Sequence, residues 1–481
     1  MIYKMFLLVS KLQLMFLDRD RDVVFKSALE QAKLIRDREI SPLELVELYL
    51  ARIETHNPQL GCFYHVAAES AIADAKQKTE QLAKTKDNNS LSPLFGVPTS
   101  IKDLNAVAGM PITYGVAALK GQIANYDDGV VSKIKAAGLI ILGKTATSQL
   151  GSLPYTESPG FMTTRNPWNL DYTPGGSSGG AASAVAAGLC AIAQGNDGGG
   201  SIRGPAFCCG LVGIKPSRGR ISYAPMGDFQ NGIASNGVLA RTVKDGAALL
   251  DIMSGYITGD PYWLPDPEIP FLTAIEQTLP ELSVGFATAI APQGEAHPIC
   301  RESVTQTVSI IEGMGHRVTE IAFDVSPLIK PFTTIWSAGI TSAGIPLEAL
   351  SPINRWIASL SGNAGEYLQA VQQMQGISRQ IVSLFDNYDV LVLPTYMHPA
   401  IKVGEFALHT PEETLNRIIN WILPCPAWNA TGQPAIAIPT KVAQNGLPVG
   451  IQLIGKPASE SMILALANQL EAVINFSQKK L

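Results

Sequence analysis

Short, unbroken apolar runs alternate along this chain with longer stretches of helical period. The runs at 97–102, 139–142, 389–393, 434–438 and 449–454 read as buried strands. Between them, Ser41-Pro42-Leu43-Glu44 supplies an N-cap, a proline at the first helical position and a capping glutamate. These open a helix that carries Leu45, Leu48, Tyr49 and Ile53 and that Asn57-Pro58 is expected to end. Ala67 to Lys84 predicts another helix. No internal repeat is visible, and strands alternating with helices predict an α/β layer fold.

Composition changes this picture little. With 46% apolar and 16% charged residues, 481 residues can bury a large core, and a net charge of −5 gives no reason to expect nucleic acid or an anionic membrane as partner. Length alone allows two or three domains, but no low-complexity linker or charge block divides the chain. The six cysteines (Cys62, Cys190, Cys208, Cys209, Cys300 and Cys425) lack C-x-x-C spacing, so they are expected to be reduced and mostly buried. No Cys/His cluster points to a metal. Met5 to Leu17 is apolar but interrupted by Lys11, too short to span a bilayer and without a small-residue cleavage site. It reads as a start-site artefact, with Met15 the true start, or as an interfacial anchor.

Two glycine-rich serine runs change the picture. Gly198-Gly199-Gly200 precedes Ser201, so the backbone can turn sharply and bring several amide N–H groups to one point. Such a cluster holds the oxyanion of an acyl-transfer intermediate, a contribution of roughly 3 to 4 kcal/mol per donor. The earlier run, Pro174-Gly175-Gly176-Ser177-Ser178-Gly179-Gly180, leads into an Ala-rich stretch and reads as a loop feeding a helix. It also fits the G-x-S-x-G elbow twice, which leaves open an α/β-hydrolase-type esterase using a late histidine among His297, His316, His398 and His409. Gly138 to Thr145 fits the P-loop spacing literally, but Leu139 to Leu142 are themselves strand-forming, so a buried strand and no nucleotide site is expected.

These runs, together with Gly96-Val97-Pro98-Thr99-Ser100-Ile101-Lys102-Asp103, resemble the amidase signature family. Further blocks carry the likeness: Ala136-Ala137-Gly138 to Gly143-Lys144-Thr145, Arg165-Asn166-Pro167-Trp168-Asn169, Gly213 to Arg220, Asp389 to Thr395 and Thr431 to Ala435. The resemblance implies one large α/β domain over 23–481 after an N-terminal extension at 1–22, built on a mixed, mostly parallel sheet of about eleven strands covered by helices. It also implies an amidase that cleaves the C–N bond of a linear amide through an acyl-enzyme, with Ser201 as nucleophile, Ser177 bridging in a cis peptide, and Lys102 as proton acceptor and donor. Ser178, with Gly198, Gly199 and Gly200, would serve the oxyanion or substrate, and Asp197 and Arg203 would brace the loop. No cofactor and no metal are implied; the expected partner is a small-molecule amide, the expected compartment the cytoplasm, and a homodimer is left open.

For Lys102 to act as a base near neutrality, its pKa must fall roughly 3 units from about 10.4, a cost of about 4 kcal/mol that burial imposes. Adjacent strand residues point to opposite faces, so Asp103 is expected to be structural. Departures from the family pattern limit the substrate. Ala234-Ser235-Asn236-Gly237 stands where many members have Ser-Leu-Asp, and Ala146 and Gln149 stand in place of Asn and Glu. The first departure weakens the alternative of a glutaminase subunit of a tRNA-dependent amidotransferase. The pocket is expected to come from distant loops, including 126–165 and 330–425.

Overall fold

In the computed structural model, which describes residues 22–228 and 230–476, fourteen strands run in chain order. They are β1 (Phe63–Val66), β2 (Pro98–Lys102), β3 (Ile140–Thr145), β4 (Ile192–Asp197), β5 (Val212–Lys215), β6 (Ser235–Ala240) and β7 (Ser283–Phe286). The remainder are β8 (Ala289–Ala291), β9 (Gly294–Glu295), β10 (Arg317–Glu320), β11 (Phe323–Asp324), β12 (Val390–Pro394), β13 (Ala435–Val442) and β14 (Pro448–Gly455). Eleven form one sheet in the order β1-β3-β2-β4-β6-β5-β13-β14-β12-β7-β10, and β11-β8-β9 form a small second sheet. All five apolar runs picked out from the sequence are strands of the large sheet with backbone partners on both sides; β2, β3, β12 and β14 are buried along their whole length and β13 along its first five residues.

The eleven strands and the mixed pairing match expectation, but the bias toward parallel pairing is corrected. Of the neighbouring pairs, β3/β2, β2/β4, β12/β7 and β7/β10 are parallel and the other six are antiparallel. The β13–β14 link shows the cause locally. Residues 443–447 turn with Gly446 at φ 79° and Ala443 N–H bonded to Leu447 O at 2.8 Å, far too short a connection for a parallel crossover.

The predicted capping box forms as read: Glu44 N–H donates to Ser41 Oγ at 3.1 Å and Ser41 N–H to Glu44 Oε2 at 2.8 Å. The helix spans Pro42–Leu60, so Asn57-Pro58 does not end it. Proline this close to the C-terminus forfeits one N–H bond without blocking the last turn, which Gly61 closes in the left-handed region at φ 61°. The second helix is Ala68–Lys84. Residues 1–21, with the readings made for them, lie outside the described residues, and no helix among the described residues is long and apolar enough to cross a membrane.

Two short helices cross the middle of the molecule, Gly179–Ala186 and Arg203–Cys209, and every residue of both is buried. Small side chains make that possible along Gly179–Ala186, whereas Arg203 and Phe207 of the second helix are among the largest fully buried groups. A Cβ at Gly180 would stand 2.4 Å from Ala146 N, so backbone packs directly on backbone there. A separate helical layer, Ser326–Ser342, Pro352–Ala358, Ala364–Val382 and Pro411–Ile422, packs mutually and encloses a second apolar cluster that includes Ile357, Trp421 and Trp428.

Candidate active site

β2 ends on Lys102 and β4 on Asp197, side by side in the sheet, while the two internal helices begin just after the two serine runs. This brings the predicted residues together. Lys102 is fully buried, and its Nζ donates to Ser177 Oγ at 2.8 Å and to the Asn196 carbonyl at 3.3 Å. Ser177 follows a cis peptide from Gly176 and is 1% exposed. A Cβ at Gly176 would lie 2.4 Å from Tyr155 N, so only glycine fits before the serine. Ser178 donates from Oγ to the same Asn196 carbonyl at 3.2 Å, and from its N–H to Ser201 O at 3.2 Å, tying the two serine runs. Burial pulls the Lys102 pKa well below its ordinary value, against the opposing charge of Asp197.

The lysine rests on neutral amides. Its N–H donates to Gln194 Oε1 at 3.1 Å, and Gln194 Nε2 donates to Asn105 Oδ1 at 2.9 Å and Asn236 Oδ1 at 3.0 Å. Asn196 Nδ2 donates to the same two oxygens at 2.7 and 3.2 Å. Asn236, one of the departures from the family pattern, therefore belongs to the support of the lysine. Asn105 and Gln194 were not singled out from the sequence, because nothing in their local context distinguishes them from ordinary polar residues.

Asp197 and Arg203 pair across the turn that precedes Ser201. Both are wholly buried; Arg203 Nε donates to Asp197 Oδ2 at 3.0 Å and Nη2 to Oδ1 at 2.9 Å. Burial pushes the Asp197 carboxyl up, but Arg203, Lys215 and the Asn429 amide outweigh it and hold the carboxyl well below the usual carboxylate range. The same carboxylate accepts Gly200 N–H at 2.7 Å. Gly200 is therefore corrected: its amide holds the loop's shape and faces away from the role of oxyanion donor. Its φ of 116° and the 2.8 Å from a built Cβ to Cys425 Cβ explain the glycine. Gly198 serves packing as well, since a Cβ there would meet the Trp336 ring at 2.9 Å.

Asp103 turns away from the lysine. Its Oδ1 accepts from Lys144 Nζ at 2.8 Å and its Oδ2 from Thr113 N–H at 3.1 Å. Lys144 is the lysine of the P-loop lookalike, and β3 occupies the residues a phosphate cradle would need, so the rejected nucleotide site stays rejected. The six cysteines are free and buried.

An open cleft of about 860 Å³ rises over Ser201, floored by Gly176, Gly199 and Ser201 and walled by Ser152–Pro154 and residues between Val325 and Ala427. The segments expected at 126–165 and 330–425 do contribute, but largely as helices, Ser326–Ser342 and Pro411–Ile422, where loops were expected. Gln149, a second departure, anchors this wall: its Oε1 accepts Ser351 N–H at 2.8 Å and Asn354 Nδ2 at 2.9 Å, at the start of the helix that carries Ile357. No histidine lines the cleft among the described residues. His398 stacks on Trp421, His316 accepts Leu282 N–H, and His297 caps Pro298–Gly313.

The model of the family described as Amidase matches residues 44–464. The chain belongs to the amidase signature family. A Synechocystis sp. relative named "Putative amidase" is 53% identical over 95% of this chain and 90% of its own length. Among solved amidase signature folds, 6-aminohexanoate cyclic dimer hydrolase superposes with a TM-score of 0.88 at 29% identity, covering 95% of this chain and 98% of that one. A bacterial aryl acylamidase of the same family superposes with a TM-score of 0.86 at 25% identity over the same shares. Membership makes the chain an amide hydrolase, and the blocks that carry Lys102, Ser177 and Ser201 meet at the floor of the cleft.

Proposed function

We propose that this amide hydrolase works through an acyl-enzyme on Ser201, with Ser177 and Lys102 as its proton relay. The observation that carries the reading is a buried amine 2.8 Å from the Ser177 hydroxyl, directly beneath a cleft whose floor is Ser201. With the amine neutral, Ser177 passes its proton to Lys102 Nζ as it takes the proton of Ser201, and Ser201 Oγ forms a bond to the amide carbon. Negative charge collects on the former carbonyl oxygen, where the amides of Gly198, Gly199 and Ser201 are the donors left once Gly200 is given to Asp197. The C–N bond breaks as the relay returns the proton to the leaving amine or ammonia. Water then enters by the same route and releases the carboxylate.

Ser178 keeps the Asn196 carbonyl in place for Lys102, and Asp197 with Arg203 fixes the turn before the nucleophile. Six buried thiols fit a reducing, cytoplasmic compartment. The test is denaturing mass spectrometry after brief exposure to an activated amide. An acyl adduct is expected on Ser201 in the native protein and none in Ser201→Ala, and Lys102→Met should lower kcat by about 10⁴ or more. An adduct on another residue, or full activity in Lys102→Met, refutes the relay.

A further inference from the structure

The cleft wall carries a second message, which rests on the amide-hydrolase reading above. Around Ser201 stand Leu328, Phe332, Trp336, Leu415, Ile418 and Ile422, and among the described lining residues there is no Asp, Glu, Lys, Arg or His. The few hydroxyls of the wall are already engaged or turned away. Ser152 Oγ donates to Asn354 Oδ1 at 2.6 Å, and Thr333 Oγ1 donates to Ile329 O of its own helix at 2.8 Å. Tyr396 Oη lies against Gly204, where a built Cβ would sit 1.7 Å from it. Phe332 and Trp336 stack at 5.9 Å with 16° between their planes, and both rings pack over the glycines that precede Ser201.

Nothing in such a wall replaces the water lost by an ammonium or a carboxylate, whereas alkyl or aryl surface is taken up favourably. We infer that the cleft receives an uncharged alkyl or aryl group of the scissile amide and rejects amides that carry a charge there. Glutamine and amides with a terminal amine fall outside this class; medium-chain alkanamides and N-alkyl amides fall within it.

Two matched series test this, one varying the acyl side and one the amine side. In the first, acetamide, butanamide and hexanamide are compared with 6-aminohexanamide. The second sets N-ethyl-, N-butyl- and N-hexylacetamide against N-(6-aminohexyl)acetamide. In at least one series kcat/KM should rise about fourfold per methylene buried. The uncharged member of the charged pair should then lead by about a hundredfold or more. Leu415→Asp, a half-buried rim position, should shift the ratio of amino to unsubstituted substrate at least tenfold toward the amine, and Phe332→Ala should flatten the chain-length slope. Both variants are checked for native circular dichroism.

Binding separates the two layers of the argument. Calorimetry with the Ser201→Ala protein reads the preference of the wall without turnover. Turnover with charged and uncharged members within threefold of each other in both series overturns the inference and leaves the amide-hydrolase reading standing. Binding that favours hexanamide or N-hexylacetamide, with no hydrolysis of any amide by the native protein, supports the inference and sinks the reading beneath it.

Discussion

Replacing Arg203 with methionine isolates the buried charge that shapes the loop before Ser201. In the native protein the guanidinium meets Asp197 with two donors, at 2.9 and 3.0 Å, and gives Nη1 to Gln452 Oε1 at 2.9 Å and to Cys425 O at 3.1 Å. Removing one member of a buried pair costs about 3–5 kcal/mol, because the remaining charge keeps its desolvation penalty. Asp197 would retain Gly200 N–H, Ile202 N–H and Asn429 Nδ2, so the lower end, about 3 kcal/mol, is expected. The double variant Asp197→Asn/Arg203→Met removes the stranded charge and should cost less than the sum of the two single changes by about 2 kcal/mol. The sign of the pH dependence also follows. In the native protein the depressed carboxyl contributes stability that is complete above its unfolded pKa of about 4 and is lost as pH falls below it. In Arg203→Met, burial is left with weaker opposition and the folded carboxyl titrates higher, so the variant's deficit is largest at high pH and shrinks as pH falls toward ~5. Urea unfolding midpoints at pH 7.5 and 5.5, at unchanged slope, read both effects. A deficit under about 1 kcal/mol, or one that does not change between the two pH values, refutes the account.

The depressed Lys102 pKa sets a pH–rate prediction: kcat/KM for a neutral amide should stay level through about pH 9 and fall as acid protonates the amine, whereas a rate that climbs only near pH 10 would mark an ordinary lysine. Asn236→Asp puts a carboxylate into the amide cluster beneath that lysine, favours its ammonium form, and should move the acid limb to higher pH; an unmoved limb breaks the proposed coupling. Tyr396→Phe removes a buried hydroxyl that has no partner among the described residues, and it should raise stability by about 1 kcal/mol in urea, where a loss would show that the hydroxyl is satisfied.

What the sequence disclosed and what it withheld divide by physical cause. The proposed roles of Lys102, Ser177 and Ser201 could be read from the sequence because such a relay would need glycines, hydroxyls and a lysine in apolar company, which composition seldom produces by chance. The buried strands were legible because residues with apolar neighbours on both faces read as continuous runs. Gly200 was misjudged because a glycine run discloses backbone freedom without saying which amide meets which acceptor, and here Asp197 captures one. Helix Pro42–Leu60 outran its proline because one missing donor in a final turn is cheap beside a well-placed Gly61. The cleft walls stayed hidden because a helix face that lines a cavity has the same apolar period as one that lines a core. Asn105 and Gln194 gain meaning only from strands that sit far apart in the chain and adjacent in the sheet.

The residues assigned to bond breaking fall within Lys102–Arg203, on strand ends and at the starts of two internal helices, whereas most of the wall belongs to Val325–Ala427. On the proposed assignment, reactivity and selectivity are encoded in different stretches of the gene product. Exchanging the distal stretch between relatives would retarget the catalyst while its reactive centre is inherited unaltered, and diversification by recombination has a natural seam between the two.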